Sequence, residues 1–163
     1  MTQQLSEHRH ISFTAHYTGY IWYSMGISHP VFATSKGKML AKLVHPLESW
    51  AEKFVGGSMR TTLKQRHSMI DQHLIQLIEQ HPDLQVLEIA SGLSPRGWNF
   101  RQKFPNIDYR ELDLPDMARV KTQALQKIDC TSPEVLSVDL FTADFEQAFQ
   151  VFDPTRPLVI ISE

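Results

Sequence analysis

Val86-Leu87-Glu88-Ile89-Ala90-Ser91-Gly92-Leu93 is the stretch of sequence that decides the fold. The apolar run from Val86 to Ala90 ends at turn residues and is typical of a buried strand. Ser94 and Pro95 follow, a pair that favours the start of a helix. A strand, a tight turn of small residues and a helix, in this order, form the first unit of a parallel α/β sheet.

Helices and strands alternate on both sides of this stretch. Apolar residues recur at helical spacing from about residue 66 until His81-Pro82. Further strands are predicted at 107–113, 135–140 and 158–161, and further helices at 94–104, 116–128 and 144–149. This order predicts an α/β protein with a doubly wound, mostly parallel sheet.

The sequence divides into two regions of different character. Residues 1–60 are rich in aromatic residues and histidine, with weak periodicity, and are expected to form helices and loops. Residues 61–163 carry the alternating pattern. Because four strands are predicted and an open sheet edge usually continues into another strand, we expect a sheet that is incomplete at its C-terminus, in the N-terminal part of a longer enzyme.

Composition narrows the classes of function. The chain has 163 residues, 42% of them hydrophobic, which suffices for one core. A formal net charge of -2 gives no electrostatic case for binding nucleic acid or a membrane. With one cysteine, Cys130, a polar N-terminus and no long apolar run, the chain is predicted to be cytoplasmic. The histidines show no metal-ligand spacing, so no metal is predicted.

The turn after the first strand is a candidate ligand site. Ala90, Ser91 and Gly92 are small, so a ligand can approach the backbone there. Glu111 and Asp113 stand 23 and 25 residues after Glu88, at the end of the second strand, where a carboxylate suits the two hydroxyls of a ribose. An ordinary tight turn beside a solvated acidic strand end fits the same spacing equally well.

Two features of the turn favour an adenosyl-sulfonium over a dinucleotide. The turn has one glycine, where dinucleotide-binding folds show three. Glu88 adds a negative charge and Pro95 lacks an N–H donor, which a diphosphate tolerates poorly and a cation tolerates well. A nicotinamide dehydrogenase is therefore disfavoured.

Four segments, in order, resemble the leucine carboxyl methyltransferase family, which includes bacterial O-methyltransferases associated with polyketide-type small molecules. Residues 89–96 are similar to its turn ASG-L-D-x-R, with Ser94 in place of the usual Asp. Residues 109–115 and Lys121 are similar to its E-x-D-x-P element with a Lys six residues beyond the Pro. Arg66 with Asp71 is similar to an R-x-x-x-x-D element before the first strand. Glu163 is similar to the Glu that opens an E-G-x-x-x-Y-L segment.

The resemblance implies a Rossmann-like class I methyltransferase that uses S-adenosylmethionine, with residues 1–60 as a helical cap. Arg66 would pair with the methionyl carboxylate of the cofactor. Ala90 and Gly92 would give backbone room in the turn, and Asp113, with Glu111 nearby, would accept from the ribose hydroxyls.

Four further residues complete the implied cofactor site, and one of them is Glu163. Asp139 and Leu140, at the end of the third strand, would flank the adenine. Glu88 stands where methyltransferases in general commonly carry a carboxylate. Asp71 is expected to play a structural role, bonded to Arg66.

The resemblance also implies the reaction, which is methyl transfer to a carboxylate or hydroxyl oxygen of a small molecule or a peptide C-terminus. No catalytic residue is identified, and the residues on the acceptor side are expected beyond Glu163. The alternative is a non-catalytic, truncated cofactor-binding fragment, or a partner-dependent subunit of the same fold. An exposed edge after residues 158–161 favours a homodimer.

Overall fold

The computed structural model describes residues 4–55, 59–128, 135–139, 142 and 144–163. The helices are α1 (Gln4–Ser24), a short 3-10 helix (Pro30–Phe32), α2 (Ser35–Val55), α3 (Met59–Gln80), α4 (Arg96–Lys103), α5 (Pro115–Gln126) and α6 (Asp144–Gln147). The strands are β1 (Gln85–Ile89), β2 (Asp108–Asp113), β3 (Val135–Ser137) and β4 (Leu158–Ser162).

The four strands form one sheet in the order β3-β2-β1-β4, and all three strand pairs are parallel. The chain moves outward from β1 through β2 to β3 and then returns to the other side of β1. This reversal confirms the predicted doubly wound sheet. It also places a topological switch point at the carboxyl ends of β1 and β4, where open α/β sheets bind ligands.

The two faces of the sheet bury different side chains because neighbouring residues of a strand point to opposite faces. On one face, Val86 of β1 packs with Tyr109 of β2 and with Leu74 of α3. On the other, Leu87 and Leu112 pack with residues 148–152 beyond α6. Glu88 shares the face of Val86, which places a carboxylate inside the sheet.

The N-terminal helices pack against each other and against the first turn of the sheet. Tyr17 and Ile21 of α1 form a buried cluster with Leu40 of α2. A Cβ atom on Gly19 would lie 2.7 Å from the Cβ of Leu93, so glycine lets α1 lie directly against the chain that leaves β1. This contact places α1 beside the carboxyl ends of the strands, where it forms one wall of a cleft.

Two helix starts differ from the prediction. Helix α3 begins at Met59 instead of about residue 66, so the predicted domain boundary falls in its first turn. Its early turns are mostly polar, but Leu63 packs against the cluster between α1 and α2. Helix α4 begins at Arg96, one residue later than Ser94-Pro95 suggested, and the Ser94 hydroxyl accepts from the Arg96 N–H at 3.2 Å.

The third strand is shorter than predicted. It ends at Ser137 instead of Leu140, although the backbone N–H of Val138 still donates to the backbone carbonyl of Asp113 at 3.0 Å. Leu140 and Cys130 lie outside the described residues. Among the helices described, none combines the length and apolarity that crossing a membrane requires.

Candidate functional site

A cleft of about 250 Å³ lies at the carboxyl ends of β1, β2 and β4. Helix α1 forms one wall, and the sheet, its first turn and α3 form the others. Its lining residues are Thr14, Ala15, Thr18, Trp22, Arg66, Glu88, Ala90, Ser91, Gly92, Ser94, Asp113 and Glu163. Six of the nine residues proposed from the sequence therefore meet in one cleft at the switch point.

The turn after β1 is held by the end of β2. The backbone N–H of Gly92 donates to Oδ2 of Asp113 at 2.6 Å, and the N–H of Leu114 donates to Oδ1 at 2.8 Å. Ala90 and Gly92 both have positive φ, 52° and 50°, which is costly for a residue with a Cβ. The turn is therefore strained at Ala90 and is held in place by hydrogen bonds to Asp113.

Asp113 keeps the capacity to bind a ligand. Burial raises the pKa of its carboxyl, and the N–H donors of Gly92 and Leu114 offset part of this effect. Each carboxylate oxygen has two lone-pair sites, so one backbone donor on each leaves room for a second donor. Asp113 lines the cleft, where it can accept from a pair of ligand hydroxyls.

Arg96 is the centre of a buried ion network that the sequence analysis missed. Its side chain is 0% exposed and donates to three carboxylates, one from each nitrogen. Nε lies 2.6 Å from Asp71, Nη1 lies 2.9 Å from Glu88, and Nη2 lies 2.6 Å from Glu163. Burial opposes the charge, but Glu88, Tyr109 and Asp71 outweigh it and raise the pKa of Arg96.

Glu163 joins this network to the cleft. His67 Nδ1 lies 2.9 Å from its Oε2 and 2.8 Å from Nη2 of Arg96, and the imidazole tautomer decides which contact is a hydrogen bond. Burial raises the pKa of Glu163, but the hydrogen bond to His67 and the charge of Arg96 prevail and lower it to about 2. Glu163 is therefore ionised throughout the physiological range.

Arg66 contacts Glu163 and not Asp71. Its Nε donates to Oε1 of Glu163 at 3.2 Å, and its side chain is 52% exposed at the edge of the cleft. The predicted bond between Asp71 and Arg66 is wrong because Asp71 bonds to Arg96 instead. Five positions along a helix separate residues by more than one turn, whereas Arg96 approaches Asp71 from a neighbouring helix.

Glu111 forms a buried ion pair away from the cleft. Nζ of Lys121 lies 2.6 Å from Oε1 of Glu111, and both side chains are almost completely buried. Burial raises the pKa of Glu111 to about 7, although Lys121 opposes the rise. The E-x-D-x-P element and its Lys thus combine a buried ion pair, through Glu111, with a cleft carboxylate, Asp113.

The remaining predicted residues divide between core and periphery. The Glu88 carboxylate accepts from Arg96 and from the hydroxyl of Tyr109 at 2.8 Å, so it is part of the buried network at the base of the cleft. Asp139 follows β3, and its carbonyl accepts from the backbone N–H of Thr142. Asp139 is not one of the residues that line the cleft.

Helix α1 contributes a row of side chains to the cleft that the sequence analysis assigned no role. Thr14, Thr18 and Trp22 are four residues apart and so share one face of the helix. The four-residue spacing was a usable signal, but only the packing of Gly19 on Leu93 shows which face meets the sheet. In the described part of the chain, no three His, Cys, Asp or Glu residues are grouped to hold a metal ion.

The parallel sheet and the cleft at its switch point define a Rossmann-like α/β protein. The family model for leucine carboxyl methyltransferase matches residues 29–163. The chain belongs to the leucine carboxyl methyltransferase family, as the motifs suggested. Neither curated proteins nor solved structures gave a match to the chain.

Proposed function

We propose that this chain binds S-adenosylmethionine in the cleft and transfers its methyl group to an oxygen of an acceptor. The observation that carries the proposal is the hydrogen bond between Gly92 and Asp113, which joins the small-residue turn to an acidic strand end at the switch point. Ribose hydroxyls donate and the Asp113 carboxylate accepts. Membership of a methyltransferase family supports the same ligand.

The charge of the cleft fits a cationic ligand. Three carboxylates line it, Glu88, Asp113 and Glu163, whereas Arg66 is the one Lys or Arg among the described lining residues. Arg96, which lies behind Glu88 and Glu163, adds a second positive charge, so three carboxylates stand against two arginines and a negative excess remains. An excess of negative charge attracts a sulfonium and an ammonium and repels a diphosphate. These residues therefore fit S-adenosylmethionine better than a dinucleotide.

The chain's own residues act by holding and shielding the reactants. When bound, S-adenosylmethionine supplies a methyl group on a positively charged sulfur and a neutral thioether as leaving group. Asp113 holds the ribose, and Arg66 and Glu163 hold the charged amino-acid end, which aligns the sulfur for in-line attack. Helix α1 lies over the turn and limits the access of water.

The groups around the cleft favour a carboxylate as acceptor. Glu88, Asp113 and Glu163 already accept hydrogen bonds from the chain, so among the described lining residues we identify no general base. A hydroxyl acceptor needs such a base, whereas a carboxylate is already anionic. We therefore propose that the methyl acceptor is a carboxylic acid, either a small molecule or a peptide C-terminus, in preference to a hydroxyl compound.

Transfer of a radiolabelled methyl group tests the proposal directly. The chain is incubated with labelled S-adenosylmethionine and a panel of carboxylic acids, phenols and alcohols. A methyl ester releases volatile methanol in alkali, whereas a methyl ether does not, so the product identifies the acceptor oxygen. We expect alkali-labile product, lost in Asp113→Ala and kept in Asp108→Ala at the opposite end of β2.

The same assay separates the alternative function. Binding of the cofactor without transfer to any acceptor would indicate a non-catalytic cofactor-binding chain or a subunit that requires a partner. If the folded chain shows neither binding nor transfer, both versions of the proposal are wrong.

A further inference from the structure

The cleft contains two hydrogen-bonding groups without a partner. Nε1 of Trp22 and Oγ of Ser91 are buried, and neither has a hydrogen-bond partner within the described structure. The two residues are only 6% and 4% exposed, and both line the cleft. A buried hydrogen-bond donor that is left unpaired is destabilising, so two in one cleft indicate a ligand that pairs with them.

Trp22 lies at the same end of the cleft as Arg66. The Trp22 ring packs on the His67 ring, with centroids 5.4 Å apart, and His67 in turn contacts Glu163. The other oxygen of Glu163 accepts from Arg66. Trp22, His67, Glu163 and Arg66 therefore form one continuous group of contacts from α1 to α3.

Ser91 approaches this group from the sheet. Ile89 of β1 is paired in register with Ser162 of β4. The residues after these two strands, Ala90 to Gly92 on one side and Glu163 on the other, therefore leave the sheet side by side. This places the turn that carries Ser91 next to the Glu163 end of the cleft.

We infer that Trp22 and Ser91 bind the carboxylate of the amino-acid end of S-adenosylmethionine, together with Arg66. An indole N–H only donates and a hydroxyl donates readily, while a carboxylate only accepts and has about four lone-pair sites. The adjacent Glu163 suits the ammonium group on the same carbon. The inference rests on the proposed cofactor, and Trp22 lies outside the matched residues 29–163.

A comparison of two ligands tests this assignment. S-adenosylhomocysteine and its decarboxylated analogue are titrated calorimetrically into the wild type, Trp22→Phe and Ser91→Ala. Phenylalanine keeps a ring against His67 and removes the N–H. Matched controls are Trp98→Phe and Ser28→Ala, since Ser28 also has a buried hydroxyl oxygen without a partner in the described structure but does not line the cleft.

We expect Trp22→Phe and Ser91→Ala each to weaken the binding of S-adenosylhomocysteine by about tenfold, because each variant loses a hydrogen bond to a charged group. Binding of the decarboxylated analogue should change less than about twofold, and the controls should match the wild type. If Trp22→Phe does not fold, Ser91→Ala decides alone.

Three results would overturn the inference. Equal loss for both ligands would show a structural role, and unchanged binding of S-adenosylhomocysteine with a higher KM for the acceptor would assign the donors to the acceptor carboxylate. A wild type that binds S-adenosylhomocysteine no better than the analogue would show that the carboxylate is not recognised. If the folded wild type binds neither ligand, the proposed cofactor itself is wrong.

Discussion

Nη2 of Arg96 donates to Oε2 of Glu163 at 2.6 Å and joins the first residue of α4 to the residue that follows β4. The contact spans two elements that are adjacent in space but distant in sequence. Because Glu163 also contacts Arg66 at the edge of the cleft, the fully buried Arg96 helps to determine the position of the polar groups that line the cleft.

Loss of the Arg96 charge should strongly destabilise the fold. Arg96→Met leaves Glu88, Asp71 and Glu163 without their shared partner, and removing one member of a buried ion network costs about 3–5 kcal/mol. Urea unfolding measures the free energy. Arg119→Met is the control, because its pair with Asp116 is exposed and worth about 1 kcal/mol or less. Equal losses in the two variants would contradict the network.

Glu163 should make stability depend on pH in the acid range. Its folded pKa of about 2 lies below the ordinary 4.5, so its contribution is complete above pH 4.5 and is lost as the pH falls toward 2. Glu163→Gln should therefore flatten the free energy of unfolding between pH 4.5 and 2. The check is urea unfolding at a series of pH values, and an unchanged slope in the variant would refute the prediction.

The pair of Glu111 and Lys121 should behave as a unit. Lys121→Met leaves a buried carboxylate without its cation and should cost about 3–5 kcal/mol at pH 9, above the pKa of about 7 at which Glu111 ionises. The loss should be smaller at pH 5, because the pKa of Glu111 is already raised and protonation removes the charge. The double variant with Glu111→Gln should recover most of the stability in urea unfolding. A double variant as unstable as the single one would argue against the pairing.

The turn after β1 should tolerate more flexibility at Ala90. Its φ of 52° costs about 1–2 kcal/mol with a Cβ, and the greater chain entropy of glycine offsets part of that gain. Ala90→Gly should thus leave the fold equally stable, or more stable by up to about 1 kcal/mol. Ala118→Gly, inside α5, should cost about 1 kcal/mol by the same thermal or urea measurement. Destabilisation of both would contradict the strain at Ala90.

The sheet was predictable because each strand is a short apolar run between turn signals. Val86 to Ile89 and Leu158 to Ile161 show this pattern, and strands that alternate with helices leave few topologies. The start of α3 was missed because packing on the N-terminal helices, through Leu63, stabilises turns whose own pattern is polar. The order of the strands comes only from the structure.

The place of the candidate site in the fold was predictable where its residues stand at the ends of strands. Parallel strands bring their carboxyl ends together, so Asp113, Gly92 and Glu163 meet as expected. Glu111 and Asp113 could not be separated by spacing, since which of two nearby carboxylates faces the cleft depends on a partner such as Lys121. Arg96 lies in the motif at residues 89–96, but the sequence assigned it no role. Its three carboxylate partners come from three different elements, and only the folded chain brings them together.

Calorimetric titration of the chain with S-adenosylhomocysteine tests most directly whether the cleft binds the cofactor. We expect a Kd in the micromolar range, about -8 kcal/mol, for the wild type and for Asp108→Ala, and at least about tenfold weaker binding for Asp113→Ala. Asp108 and Asp113 stand at opposite ends of β2. Comparison of the two variants therefore distinguishes the loss of a ligand contact from a general disturbance of the strand. A folded wild type that binds no S-adenosylhomocysteine, or an Asp113→Ala variant that binds it equally well, would contradict a cofactor site at Asp113.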